Sequence, residues 1–377
     1  MRIGILTLPL HTNYGGILQA YALQTVLERM GHEVVVFDLP KSGFMPPMWK
    51  MPLCYAKRIL KKVTGQGGYI FVEQHLAMVH RYIAQYTQPF IDEHIHRREV
   101  RHLNRLKDTD YDALVVGSDQ VWRPFYFVRM WGKIPMEEAF LSFAKGWNVK
   151  RMAYAASFGT DEWEYTDAQT QHCGELLHSF DAVSVREANA VHLCEEHFGL
   201  KAQHVLDPTM LLSKEDYCNL FLKKNTPKSK GGLLCYVLDE SKELKALIND
   251  LAEEKHLVPF SVNNPFEYDE TKPLEQRVKG SVESWLRGFY DAEFVITDSF
   301  HACVFSIIFK KQFVVVGNKE RGMSRFESLL RMFGLESRMV SSDVDIKGLA
   351  PIDYALVYEK YEKLKGESLE FISKTLR

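Results

Sequence analysis

The chain has 377 residues, 46% hydrophobic and 25% charged, with 47 basic and 49 acidic side chains and a formal net charge of −2. That length suggests two domains, each with enough apolar residues for a full core. The near-even charge balance argues against general nucleic-acid binding, which needs a basic face, but leaves room for a local basic pocket holding a small anion.

In chain order, IGILTL (residues 3–8) is a short apolar run of the kind that forms a buried parallel strand. The polar loop HTNYGG follows, then a helical pattern with Leu23, Val26, Leu27 and Met30 on one face and Gly31 as its stop. EVVVFDL (33–39) reads as the next strand, completing a β-loop-α-β unit of a doubly wound sheet. Residues 41–107 break this pattern and read as an insertion of helices and loops.

Strands resume at 112–122, 151–159, 182–187 and 204–208, with helices expected at 166–178 and 188–198. TPKSKGG (226–232) is a polar break that marks a domain boundary. Beyond it LLCYVLD, VPFSV, FVITDS and FVVVG read as strands, with helices at about 240–255, 281–291, 301–309 and 323–333. The expected organisation is an N-terminal Rossmann-like domain over 1–225, a C-terminal Rossmann-like domain over 226–350, and a tail helix in 351–377 crossing back to the first. Two such α/β domains bind ligands in the cleft between them.

Six cysteines, Cys54, Cys173, Cys194, Cys218, Cys235 and Cys303, show no zinc or redox-motif spacing and are expected to be reduced thiols. No His, Cys, Asp or Glu group has metal-ligand spacing, so no metal and no cofactor is expected. The apolar run at the start is too short for a signal peptide and no stretch is long enough to span a bilayer, which makes a cytoplasmic protein the expectation. Residues 48–63 mix Trp49, Leu53, Ile59, Leu60 and Val63 with Lys50, Lys57, Arg58, Lys61 and Lys62. Such a segment is either a solvated surface helix or a peripheral contact with the inner face of a membrane.

Ligands gather at the carboxyl ends of strands, and that rule ranks the polar clusters. Asp298-Ser299-Phe300-His301 stands where a strand gives way to a helix. Ser299 is a good N-cap, the amides behind it face an anion, and His301 in the first turn can move a proton near neutral pH. The alternative is an ordinary cap beside a satisfied core histidine. Ser118-Asp119-Gln120 ends another strand and is either a hydroxyl-binding edge or a capped turn. Arg186 is either an anion fork or the partner of Glu187 or another acid. Asn13-Tyr14-Gly15-Gly16 is a Gly-bearing loop without the dinucleotide fingerprint, and its glycines serve close packing on the plainest reading. Arg321 and Arg325 follow a strand and are either anion ligands or a solvated helix start.

The blocks NYGGILQAYALQ, VVGSDQVWRP, YAASFG, SVRE, VLDPTMLL and TDSFHACVFSIIF, in that order, resemble the polysaccharide pyruvyl transferase family. The resemblance runs from the first strand to about Arg338, outside 41–107. It implies a GT-B-like fold, phosphoenolpyruvate as donor, a surface-polysaccharide sugar (free or lipid-linked) as acceptor, and a pyruvate ketal as product with phosphate released. It implies that His301 is the proton donor, that Arg186 holds the donor, and that the cleft is lined by Asn13–Gly16, Ser118–Gln120 and Ser157. Where some members carry an arginine two residues before the histidine, this chain has Ser299, so Arg325 or Arg321 is expected to substitute. A sugar-nucleotide glycosyltransferase and a non-catalytic saccharide-binding protein are the competing readings.

Overall fold

The computed structural model describes residues 1–39, 48–65, 68–131, 134–239, 241–317, 323–340 and 348–377. The first half is built from β1 (Arg2–Leu6), α1 (Tyr14–Arg29), β2 (Glu33–Asp38), α2 (Met51–Val63), α3 (Val72–Ile83), α4 (Gln88–His94), β3 (Arg97–Glu99) and β4 (Ala113–Val116). It continues through α5 (Pro124–Trp131), β5 (Lys150–Ala156), α6 (Asp167–Leu177), β6 (Ala182–Val185), α7 (Ala188–Phe198), β7 (Gln203–His204) and α8 (Lys214–Lys223). The second half holds β8 (Leu233–Tyr236), α9 (Lys242–Lys255), β9 (Pro259–Phe260), α10 (Val282–Asp291), β10 (Phe294–Thr297) and α11 (Phe300–Ile308). It closes with β11 (Gln312–Val316), α12 (Ser324–Phe333), β12 (Met339–Val340) and α13 (Tyr354–Thr375).

Two sheets result, seven strands in the order β3-β2-β1-β4-β5-β6-β7 and five in the order β12-β11-β10-β8-β9. Every pairing between these strands is parallel. The fold is therefore α/β with two Rossmann-like, doubly wound halves, the GT-B-like arrangement expected from the sequence. In the first sheet the winding reverses between β1 and β4, and in the second between β8 and β10. Those reversals open the crevices where open parallel sheets bind ligands.

Alternating side chains divide the apolar residues among three cores, as the two-residue period of a strand requires. Ile3 and Ile5 of β1 and Val295 of β10 enter one large core together with α1, α10 and α11. Leu6 enters a second core on the far face of the first sheet, and Phe294 and Ile296 enter a third on the far face of the second. The large core is shared by both halves: Tyr14 stacks on Trp285 at 5.5 Å and Tyr217 meets Phe305 edge-on at 4.9 Å. This explains why α1 and α11 are apolar nearly all round, the pattern of a buried helix.

The terminal helix α13 packs back on the first half. Tyr361 donates to the Met210 carbonyl at 2.6 Å, Ser368 Oγ accepts from the Leu206 amide at 3.1 Å, and Phe371 lies against Tyr154.

Three short elements depart from the sequence expectation. β3 lies inside the stretch read as an insertion, yet forms the edge of the first sheet beside β2. Its three residues are Arg-Arg-Glu, all exposed, and carry no apolar signal; charged residues on an edge strand block further pairing. The strand expected at 204–208 is only Gln203–His204, because Asp207 turns the chain by accepting from the Thr209 amide at 3.0 Å. β12 has two residues, too few for a periodic signal.

Candidate active site

The carboxyl ends at both reversal points face one another. Between them lies a cavity of about 270 Å³. Its walls come from the loop after β1 (Thr12–Gly15), the loop after β4 (Asp119, Gln120), the segment after β10 (Asp298–His301), the long loop after β9, and Arg325.

At its centre a histidine meets a carboxylate from the other half. His301 Nε2 lies 3.6 Å from Asp207 Oδ2. Asp207 is fully enclosed: its Oδ1 accepts from the Thr209 amide at 3.0 Å and Thr209 Oγ1 at 2.7 Å, and its Oδ2 accepts from Arg186 at 2.9 Å and Ser118 Oγ at 3.3 Å. Burial alone would raise the Asp207 pKa, but His301, then Arg186 and Thr209, outweigh it and hold the carboxyl far below its usual range. Asp207 therefore stays ionised and faces the imidazole, whose buried Nε2 has no hydrogen-bond partner among the described residues.

The other side of that imidazole rests on Gly15. A Cβ on Gly15 would overlap Nδ1 and Cγ and come within 2.6 Å of Cε1. The second position of the NYGG block is thus glycine because α1 of the first half must approach His301 of the second half this closely.

Arg186 lies behind the cavity wall. It is 2% exposed and fastened to acids: Nε donates to Glu187 at 3.1 Å, Nη1 to Asp207 at 2.9 Å, and Nη2 lies 3.9 Å from Asp119. Its Nη2 has no hydrogen-bond partner among the described residues. Burial would lower its pKa, but Glu187, Asp207 and Asp119 raise it above the ordinary arginine value. Its guanidinium carbon sits 4.2 Å from the ring centre of Phe300, whose ring also carries Arg325 at 5.9 Å. The salt-bridge alternative raised from the sequence is the arrangement found, and Arg186 is not among the residues that line the cavity.

Arg325, on α12, lines the cavity. Burial, and then the charge of Arg186, lower its pKa to about 10, which leaves it cationic at neutral pH. A cation held in such a place is stabilised by an anionic ligand. Arg321 lies outside the described residues.

Ser299 occupies the N-cap position of α11, but its side chain makes no capping hydrogen bond. The hydroxyl expected to close the helix instead belongs to a cavity-lining residue. Asp298 has a structural role, accepting from the Leu238 and Asp239 amides at 2.8 and 2.9 Å and tying the loop after β8 to β10.

Of the expected cleft residues, Asn13, Tyr14, Gly15, Asp119 and Gln120 line the cavity. Asn13 Nδ2 donates to Asp119 Oδ2 at 3.4 Å, and the Tyr14 hydroxyl donates to the Gly280 carbonyl at 2.9 Å. Ser118, Ser157 and Gly16 sit behind the wall. Ser118 Oγ donates to the Ala155 carbonyl at 2.8 Å, Ser157 Oγ to Glu187 at 2.7 Å, and Gly16 is buried in α1.

Sequence reasoning missed Asp207, although it stands in the VLDP block at the end of a strand. It also missed the loop after β9, which brings Asn263, Asn264, Glu267, Tyr268 and Lys279 to the cavity. There Lys279 Nζ bonds Asn263 Oδ1 at 2.7 Å and Glu267 at 3.0 Å, and Thr12 donates to the same carboxylate. That loop has no periodicity, and nothing in its sequence announces a site.

A family model described as polysaccharide pyruvyl transferase matches residues 13–320. The chain belongs to the polysaccharide pyruvyl transferase family. The match runs from the loop after β1 through β11 and contains both His301 and Asp207. No curated protein matches the sequence significantly. Among solved structures, UDP-GlcNAc 2-epimerase from Neisseria meningitidis is similar at 11% identity, covering 100% of this chain and 99% of its own, with a TM-score of 0.48. MurG from Acinetobacter baumannii is similar at 11% identity, covering 99% of each chain, with a TM-score of 0.45. These are distant likenesses; the fold assignment rests on the sheet topology. As a family member the chain is a transferase, and its family implies a saccharide acceptor.

Proposed function

We propose that the protein transfers the pyruvyl group of phosphoenolpyruvate to two hydroxyls of a saccharide, forming a cyclic ketal and releasing phosphate. The observation that carries this reading is His301, set in the first turn of α11 inside the cleft and faced by ionised Asp207 from the other half.

The chemistry needs an acid first. A proton delivered to the methylene carbon of the donor makes its C2 electrophilic, and one sugar hydroxyl adds there. Loss of phosphate and addition of the second hydroxyl complete the ketal. One hydroxyl proton replaces the proton delivered, and the other leaves with phosphate. His301 supplies the first proton, and the Asp207 carboxylate faces its ring. Asp207 faces Nε2, so delivery falls to Nδ1, beside Gly15. An acid of this kind contributes about 10²–10⁴ in rate. Arg325, the Ser299 hydroxyl and the first amides of α11 hold the donor's phosphate and carboxylate. Asn263, Asn264 and Glu267 offer both donors and acceptors to sugar hydroxyls.

The test is phosphate release from phosphoenolpyruvate with saccharides containing galactose, glucose or N-acetylmannosamine. Acceptor-dependent release is expected. Thermal stabilisation by UDP or CMP, with none by phosphoenolpyruvate, would overturn the proposal in favour of a sugar-nucleotide glycosyltransferase.

A further inference from the structure

Helix α2 has no buried residue. Leu53, Leu60 and Val63 recur along one face at helical spacing, with Ile59 beside them, and they are 70%, 64%, 78% and 47% exposed. Trp49, just before the helix, is 72% exposed. A solvated helix of a globular protein turns its apolar stripe to the core and its charges to water. Here the apolar stripe itself faces outward.

Charge indicates what would cover it. Residues 48–63 carry five cations, Lys50, Lys57, Arg58, Lys61 and Lys62, and no acid. Lys57 and Lys61 lie one turn apart beside the apolar stripe, with Lys62 adjacent, and all three are exposed. Arg58 is taken by Glu73 of α3 at 2.7 Å, which leaves the lysines to the surface. An apolar stripe with a tryptophan and flanking lysines fits the boundary between lipid headgroups and acyl chains of an anionic bilayer. Among the described residues no helix is long and apolar enough to cross a membrane, so the association would be peripheral.

The segment is connected to the cleft. At the far end of α3, the His80 carbonyl accepts from His11 Nε2 at 3.1 Å and the Ile83 carbonyl accepts from the Lys279 amide at 3.0 Å. His11 leads into the loop after β1, and Lys279 lines the cavity. We propose that α2, with Trp49, docks on an anionic membrane surface and so holds the cleft beside the lipid headgroups. On the functional reading above, the acceptor taken there is a lipid-linked saccharide.

The experiment is co-sedimentation of the full chain with phosphatidylcholine vesicles, with and without phosphatidylglycerol. The expected result is binding to the anionic vesicles alone, weakened by salt. The double variant Leu53→Glu with Leu60→Glu should bind at least tenfold more weakly while keeping its turnover with a soluble acceptor. The triple variant Lys57→Gln, Lys61→Gln and Lys62→Gln should also lose anionic binding. Failure of the wild type to sediment with anionic vesicles overturns the proposal, as does equal binding to neutral and anionic ones. A dimer dispersed by the double variant, without vesicle binding, would instead assign the face to a second copy of the chain. Absence of turnover alongside intact vesicle binding would sink the chemical reading and leave the docking surface standing.

Discussion

Asp207 and His301 come from different halves of the molecule, yet their facing atoms lie 3.6 Å apart, with Arg186 on the same carboxylate oxygen. The cleft is therefore closed electrostatically at its base. Asp207→Asn keeps the shape and removes the carboxylate charge that faces the ring. Turnover should fall by about 10² or more, within the range for loss of a working acid. The half-saturating phosphoenolpyruvate concentration should change much less, a split that mere destabilisation would not produce. Steady-state phosphate release over a range of donor concentrations checks both, and near-normal turnover in the folded variant would exclude the dyad.

The same carboxylate makes stability depend on pH. Its folded pKa lies below its unfolded value, so its contribution is fully present above about pH 4 and is lost as pH falls through the folded value. Removing one partner of a buried ion pair costs about 3–5 kcal/mol. Asp207→Asn should therefore melt well below the wild type near neutrality, and the gap should narrow as acid protonates Asp207. Thermal melts from about pH 7 to about pH 3 test this; a gap that stays constant or widens in acid would contradict it.

Gly15→Ala offers a test with opposing signs. In a helix interior alanine for glycine gains about 1 kcal/mol through backbone entropy, and less in the first turn, where Gly15 sits. At this position the new methyl overlaps the His301 ring, which must rotate away. The expected variant folds with a melting temperature near that of the wild type and has activity as low as His301→Ala. Near-normal turnover would mean that the ring's position against α1 is immaterial.

Arg186→Lys should act on stability before it acts on the donor. Lysine keeps one charge but cannot reach Glu187, Asp207 and Asp119 together as the guanidinium fork does. A loss of melting temperature with little change in half-saturating phosphoenolpyruvate is expected. The opposite pattern, an unchanged melt with a donor constant raised tenfold, would return Arg186 to direct donor contact.

The strands that begin with apolar runs were legible because burial on both faces leaves an unmistakable mark: β1, β2, β4 and β10 fall on IGILTL, EVVVFDL, DALVVGSDQVW and FVITDS, but β4 and β10 stop at Val116 and Thr297, where the apolar run ends and the polar residues turn to the cleft. His301 was legible for a related reason, since a polar cluster between two buried runs is costly unless it is used. Asp207 was not, because an Asp-Pro after a strand reads as an ordinary turn, and its partners lie 21 and 94 residues away in the chain at Arg186 and His301. Arg186 was visible as a charge at a strand end, but sequence cannot separate a cation facing a ligand from one facing three acids. Only the three-dimensional structure shows that Arg325, and not Arg186, is among the residues that line the cavity.

That division of labour gives the final prediction. The position two before His301 is Ser299, which brings no charge, and helix amides supply only about half a unit. A phosphate dianion needs a further cation within reach, and Arg325 lines the same cavity. Burial, and then the charge of Arg186, lower its pKa, and an anionic donor would favour its charged form. Arg325→Ala should raise the half-saturating phosphoenolpyruvate concentration at least tenfold, equivalent to about 1.4 kcal/mol, with a smaller effect on the acceptor. Arg325→Lys should recover part of the donor affinity, since charge returns without the fork. An unchanged donor constant in a folded Arg325→Ala protein would show that this arginine does not hold the phosphate, and would count against phosphoenolpyruvate as the donor.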